Sequence, residues 1–405
     1  MDIEFIPGGV TAAQGFTASG VHCGIRKNRS KLDLALILAD RNCSAAATLT
    51  TNKVKAAPIW LTIEHLKNGQ ARGIIANSGN ANACAPGGME AAKKTVATVA
   101  AETGLSPEDF IVNSTGVIGQ PLPVDAITTA IPDLVKSLSP DGNTAADAIM
   151  TTDTFPKKAA VRFTLGGKTV TLGGIAKGSG MIHPNMATMF AFITTDCAID
   201  SALLQAALSA SVNRTYNCIS VDGDTSTNDM TAILASGAAE NPMITEKNAD
   251  FDIFVKALNA VNLKLAKDIA RDGEGATKLI TCNVMGASSY NNAITLAKSV
   301  ISSSLVKAAM FGADANWGRE MCAMGYSGAE FDPSNVDIAF SSLAGQIPVC
   351  QHSKGLPFDE DLAKEILNQK EVVIQITLYE GDYKATAYGC DLTYDYVKIN
   401  GDYRT

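Results

Sequence analysis

Near the middle of the chain runs Lys177-Gly-Ser-Gly-Met-Ile-His-Pro-Asn-Met-Ala-Thr-Met-Phe-Ala-Phe-Ile193, and two kinds of structure meet inside it. Two glycines and a proline keep the backbone out of regular structure up to about Pro184. From Ala187 to Ile193 the run Ala-Thr-Met-Phe-Ala-Phe-Ile reads as a buried strand. The junction sets a small residue, Ala187, and a hydroxyl, Thr188, at the interior end of a loop. Such a Thr needs no function, because β-branched residues favour strands anyway. Just upstream, Val161–Leu172 alternates as two strands joined by the turn pair Gly166-Gly167. The first ~85 residues read as short strands and turns, with the Asn/Ser/Gly/Asn run of RGIIANSGNANAC as turn chemistry. Helical spacing appears at Met89–Gly104 with a terminal Gly, at Asp125–Ile131 up to Pro132, and at Ser201–Val212 behind Asp200. It recurs at Phe254–Ile269 and Ala293–Met310. EVVIQITLYEG and YKATAYGCDLTYDYVKI alternate at period two and predict a late antiparallel hairpin. Helices mixed with antiparallel strands, without regular βαβ alternation, predict an α+β protein: a layered α/β sandwich with mixed and antiparallel sheets. No linker composition or charge run divides the chain, and no internal repeat is seen.

Composition narrows the function. With 405 residues, 46% hydrophobic and 18% charged, the chain can bury a large core and is not disordered. Lys plus Arg number 33 against 41 Asp plus Glu, a net charge of −8, which matches neither nucleic acid nor anionic lipid. A small-molecule partner is expected. The nine cysteines are odd in number and lack any C-x-x-C, so free thiols in a reducing cytoplasm are expected. MDIEFIPGGVTAAQGF lacks the basic-then-apolar pattern of a secretory signal, and the uncharged stretch 178–195 contains His183, Pro184 and Asn185, so no membrane helix is expected.

Several familiar motifs fail on their own templates. GGKT at Gly166–Thr169 has Arg162 where a phosphate-binding loop needs Gly. DGDTSTND (Asp222–Asp229) opens like a calcium loop but has Thr227 for the turn Gly and Ile233 for the bidentate Glu, leaving a polar turn beside a site or a solvated loop. The four histidines are scattered, so no metal site is expected. No G-x-S-x-G elbow occurs.

The segment KGSGMIHPNMATM (Lys177–Met189) resembles the self-cleavage segment of the ornithine acetyltransferase family, the arginine-pathway glutamate N-acetyltransferases. The resemblance extends to IANSGNANAC (Ile75–Cys84), NSTGVIG (Asn113–Gly119), MTTDTFPK (Met150–Lys157), SVDGDTSTND (Ser220–Asp229), DGEGATK (Asp272–Lys278), GADANWGR (Gly312–Arg319) and DYVKINGDYRT (Asp395–Thr405), which together cover essentially the whole chain. The one small departure is Gly401, where Ala often follows Asn. The resemblance implies a cut between Ala187 and Thr188, giving an α chain of residues 1–187 and a β chain of 188–405 that share one core, with two copies of each. It implies Thr188 as nucleophile, with its freed α-amine as base, and Thr115 and Gly116 as the oxyanion hole. Substrate contacts map onto Thr151, Lys177, Thr188, Glu274, Asn400 and Thr405.

The implied chemistry is sound. A Thr hydroxyl is a weak nucleophile without a neighbouring base, and a freed α-amine has a reference pKa of about 7.7–8.0, close to operating pH. Lys177 can pair with a carboxylate, and Glu274 with the ammonium of ornithine. Residue type alone would make both of them solvated surface charges, and NSTG alone would be an ordinary turn. The resemblance therefore implies a cytoplasmic acyltransferase carrying acetyl from N2-acetyl-L-ornithine to L-glutamate through acetyl-Thr188. It needs no cofactor and leaves open acetyl-CoA as a co-substrate. Two rivals stand beside it: a self-cleaving amidohydrolase or aminopeptidase that hands the acyl group to water, and an uncleaved binding protein on the same scaffold.

Overall fold

The structure is a computed structural model that describes residues 3–183 and 189–402. Among these residues the strands form one nine-stranded and one six-stranded sheet. The larger runs in the order Glu4–Ile6, Lys157–Leu165, Lys168–Lys177, Phe190–Thr195, Met230–Ala235, Leu34–Leu49, Gln70–Asn80, Phe110–Val117, with Phe16–Val21 also paired to Leu34–Leu49. Phe190–Thr195 is antiparallel to Lys168–Lys177 and parallel to Met230–Ala235, so the sheet is mixed.

All six residues of Phe190–Thr195 are buried, and their alternation explains the unbroken apolar run. Ala191 and Ile193 join the core under the helices Ser201–Arg214 and Ala249–Arg271. Phe190 and Phe192 point the other way, into a core shared with Ala145, Ala146 and Ile59. A strand covered on both faces favours apolar residues at successive positions, and the two buried threonines that end this one donate their hydroxyls to the Val10 and Thr171 carbonyls. The strand starts at Phe190 and runs to Thr195; Ala187 and Thr188, expected at its beginning, lie outside the described residues.

Local signals hold where they rest on backbone chemistry. Gly166 and Gly167 carry φ of 52° and 78° between paired Leu165 and Lys168, a hairpin turn that needs left-handed backbone at both positions. Gly104 ends the helix Gly88–Thr103 in the left-handed region, its N–H returning to Ala100. Asp200 accepts the N–H groups of Ala202 and Leu203 at the start of Ser201–Arg214.

Other expectations are corrected. Helix Ala57–His65 interrupts the expected strands of the first ~85 residues, with Pro58 in its first turn where a missing N–H costs nothing. Also among these residues, one long strand, Leu34–Leu49, takes the place of several short ones, with a register shift between Leu38 and Cys43. The Asn/Ser/Gly run is the buried end of strand Gln70–Asn80 rather than a turn. Pro132 does not stop its helix, which runs Val124–Lys136: Pro132 lies on the exposed face, where the freed carbonyl can reach water. Ala293–Met310 spans two helices, Tyr290–Ser302 and Ser304–Gly312, broken where Ser303 accepts the Val306 N–H.

The late hairpin does not form. Strand Leu279–Ala287 lies between Glu371–Thr377, its parallel partner, and Tyr383–Cys390, its antiparallel partner. The chain then turns at Asp391, which accepts bonds from Thr277 and Lys278, and the described residues close with the helix Tyr394–Asp402. Helices 290–302, 304–312 and 360–367 contribute to a separate core on the six-stranded sheet. The architecture is the expected layered α/β sandwich. Among the described residues no single helix is long and apolar enough to cross a membrane.

Candidate active site

A cavity of about 140 Å³ opens at the ends of the central strands. Thr115 and Gly116 reach it from the last turn of strand Phe110–Val117, which pairs in parallel with Gln70–Asn80. The pairing is bulged: Asn80 faces both Thr115 and Val117. Gly116 has φ of +134°, and a Cβ there would lie 2.2 Å from the Gly79 carbonyl carbon. Only glycine permits this approach. Behind it, buried Asn77, Asn113 and Ser114 lock the two strand ends, with Ser114 Oγ donating to Asn77 Oδ1 at 2.6 Å. Asn228 Nδ2 donates to the carbonyls of Ala81 (2.6 Å) and Ser114 (2.7 Å), fastening the 226–229 segment to the same corner.

Lys177 ends strand Lys168–Lys177 and is 7% exposed, with its Nζ 3.4 Å from Thr115 Oγ1. Burial pushes its ammonium below the ordinary lysine range, while Asp153 pulls it back. Beyond it, Met181 adopts a left-handed φ of 56°. Asp222 holds it there, its carboxylate accepting Met181 N–H at 2.6 Å and Ile182 N–H at 2.8 Å. The Asp222–Asp229 segment, ambiguous as sequence, is thus a clamp on the loop before the proposed cut, and Ser226, Thr227, Asn228 and Asp229 line the cavity. Asp222→Ala should cost about 1.5–3 kcal/mol for each of the two charge-assisted bonds it removes. Urea denaturation checks this, and an unchanged midpoint would contradict the clamp. His183, burial holding its imidazole down to about 4, sits neutral with Nδ1 3.0 Å from Ser220 Oγ.

Glu274 faces Lys177's side of the cavity from the Gly-rich loop 272–275 and is 9% exposed, so neither residue is the solvated charge its type suggests. Asn400, on the C-terminal helix, donates from Nδ2 to Glu274 Oε2 at 2.7 Å. Gly180 lies so close to the Glu274 carboxylate that a Cβ would meet it at 2.3 Å. Thr151 completes the lining, its N–H bonded to Asp153 Oδ2 at 2.9 Å.

Six residues expected at the site therefore meet in one cavity: Thr115, Gly116, Thr151, Lys177, Glu274 and Asn400. Ala187, Thr188 and Thr405 lie outside the described residues, although Met189, which follows Thr188, lines the cavity. The sequence reading missed Asp153, Lys157 and Asp272, which lie buried behind the cavity in contact with one another. The only signal was their place inside MTTDTFPK and DGEGATK. Among the described residues no group of His, Cys, Asp and Glu gathers as a metal would require.

The fold and this cavity define an α/β-sandwich enzyme whose pocket offers a buried cation, a buried carboxylate and hydroxyl groups to a small polar substrate. The family model described as the ArgJ family matches residues 17–405, and the chain belongs to that family. It is 52% identical over 405 residues to the arginine biosynthesis bifunctional protein ArgJ of Caldanaerobacter subterraneus, covering 100% of both chains. It is 53% identical over 398 residues to ArgJ 1 of Clostridium acetobutylicum, covering 98% of this chain and 97% of that one. The crystal structure of the ArgJ protein from Bacillus halodurans is similar at 48% identity and a TM-score of 0.50, a match covering 53% of this chain and 98% of that chain.

Proposed function

We propose that this chain moves the acetyl group of N2-acetyl-L-ornithine to L-glutamate in arginine biosynthesis, through acetyl-Thr188. The observation that carries the reading is the meeting of Thr115, Gly116, Lys177, Glu274 and Asn400 in the cavity that Met189 lines directly after Thr188. Family membership favours transfer to glutamate over the self-cleaving hydrolase.

The enzyme first processes itself. Thr188 Oγ attacks the Ala187 carbonyl, the peptide nitrogen leaves as the Thr188 amine, and water hydrolyses the resulting ester. Residues 1–187 and 188–405 stay together because they share one core: Lys168–Lys177 and Phe190–Thr195 are neighbours in the same sheet. The Bacillus halodurans chain supports this, since it matches about half of the present one, the length of a single fragment. In the transfer cycle the freed amine takes the Thr188 hydroxyl proton as Oγ attacks the acetyl carbonyl. The oxyanion that forms is met at Thr115 and Gly116, where one donor is worth roughly 2.7–4 kcal/mol. The leaving amine of ornithine takes the proton. The amine of glutamate then attacks the ester and restores the hydroxyl. Lys177 pairs with the substrate carboxylate and Glu274 with the side-chain ammonium of ornithine, while Thr151, Asn400 and Thr405 complete the substrate contacts. The cycle needs no cofactor, and acetyl-CoA could enter as a second donor of the same acetyl group. Two copies of each fragment assemble in the cytoplasm.

Glu274→Gln tests the assignment. Loss of a charge-assisted bond to the ornithine ammonium is worth about 1.5–3 kcal/mol, or roughly 10- to 150-fold in kcat/KM for the donor half-reaction. Cleavage involves no ornithine, so the variant should still run as two chains on a denaturing gel. Wild-type kcat/KM on the cleaved variant would sink the assignment of Glu274, and release of acetate without glutamate would favour the hydrolase.

A further inference from the structure

We infer that Asp153, Lys157 and Asp272 form a positioning cluster that registers the two fragments against each other across the proposed cut, and with them the substrate contacts Lys177 and Glu274. The inference rests on the proposed function and deepens it. Lys157 is fully buried, with Nζ 2.7 Å from Asp153 Oδ1 and 2.6 Å from Asp272 Oδ2. Both carboxylates are otherwise saturated by main chain and hydroxyl. Asp153 also accepts Gly178 N–H at 2.7 Å and Thr151 N–H at 2.9 Å. Asp272 accepts Thr154 N–H at 3.0 Å and the Thr154 hydroxyl. Burial alone would raise the Asp153 carboxyl, but Lys157, Lys177 and the Gly178 N–H outweigh it and hold it down to about 2.

A buried ion pair is a poor source of stability, since apolar residues of similar volume usually serve as well or better. Its use is better sought in what it aligns. Thr151 hangs from Asp153 by its own N–H, and Lys177 through the N–H of the next residue, Gly178. Glu274 is tied by a double rung: Ser179 Oγ donates to the Asp272 carbonyl at 2.6 Å, and Glu274 N–H donates to the Ser179 carbonyl at 3.0 Å. Asp153, Lys157, Lys177 and Ser179 precede the cut, whereas Asp272 and Glu274 follow it. The cluster and its rung therefore join the fragment that supplies the cation to the fragment that supplies the carboxylate. These are positioning residues: in the structure they stand behind the cavity lining, and they act on substrate only through Thr151, Lys177 and Glu274.

The test compares wild type with Ser179→Ala, which removes one rung and leaves every charge in place, and with Asp272→Asn, which keeps the shape and removes a charge. Each protein is taken cleaved, as shown by gel, and N2-acetyl-L-ornithine is the probe. Ser179→Ala should raise donor KM about tenfold, the worth of one buried hydrogen bond, with kcat within a few-fold of wild type. Asp272→Asn should raise it further, and failure of this variant to fold leaves Ser179→Ala to decide. A merely structural role would lower the yield or the melting temperature and leave KM of the folded, cleaved protein alone. Wild-type KM in Ser179→Ala overturns the inference. Absence of acetyl transfer by the wild type would instead strike the proposed function itself.

Discussion

Thr188→Ala should give a single chain of the full 42.2 kDa and no measurable acetyl transfer. In the proposed mechanism one hydroxyl serves both reactions: it attacks the Ala187 carbonyl to free its own amine, then attacks the acetyl carbonyl of the donor. Without Oγ neither tetrahedral intermediate can form, and without the cut there is no α-amine to act as base. Loss of a hydroxyl nucleophile in comparable machinery lowers kcat by about 10⁶-fold, beyond the range of an ordinary assay. The substitution removes only a hydroxyl and a methyl group, so the folded protein should persist. Thr188→Ser keeps the hydroxyl and should retain part of each activity. Thr188→Cys should cleave yet transfer poorly. A denaturing gel reads the first half of the expectation, wild type running as two bands of about half the full mass. If Thr188→Ala still yields two chains, with a new N-terminus at residue 188, a separate protease makes the cut and self-processing is wrong.

How far the sequence carried this reading depended on the range of the interaction concerned. The Gly166-Gly167 turn and the Asp200 cap are decided by a few neighbouring residues, and both were legible. The strand at Phe190 was legible because burial on two faces leaves an apolar run that no half-exposed strand would show. The order of the six-stranded sheet was not. Nothing local in EVVIQITLYEG says that Leu279–Ala287 will come between it and Tyr383–Cys390, so adjacent alternating segments imitated a hairpin. The site divides in the same way. Motif resemblance named Thr115, Gly116, Thr151, Lys177, Glu274 and Asn400 but gave no reason for their geometry. Lys157 and Asp272 were invisible because a charged residue is ordinarily exposed, and these two are buried only because they meet each other and Asp153.

Gly116→Ala should lose both self-cleavage and transfer, for a reason that the sequence of NSTGVIG alone does not contain. The φ of +134° is open to glycine and closed to alanine without strain, which costs of order 1–3 kcal/mol. The added Cβ would also fall 2.2 Å from the Gly79 carbonyl carbon and 2.5 Å from the Asn80 nitrogen. Both obstacles are backbone in the paired strand, so no rotamer change relieves them, and the two strand ends must part. Thr115 and Gly116 then leave the cavity that Lys177 and Met189 line. In the proposed mechanism self-cleavage and acetyl transfer each build an oxyanion at that corner, so one displacement should harm both, with a loss of about 10²–10³ in kcat for a single donor. Gly286→Ala supplies the control. There φ is +75° and a Cβ would meet the Leu378 carbonyl oxygen at 1.9 Å, a comparable clash in the other sheet and away from the cavity lining. Under conditions where circular dichroism shows both variants folded, Gly286→Ala should run as two chains and transfer acetyl, while Gly116→Ala should run as one chain and fail to transfer. Equal cleavage and equal rates in the two variants would mean that the Thr115–Gly116 corner holds the strands together and takes no part in stabilising the oxyanion.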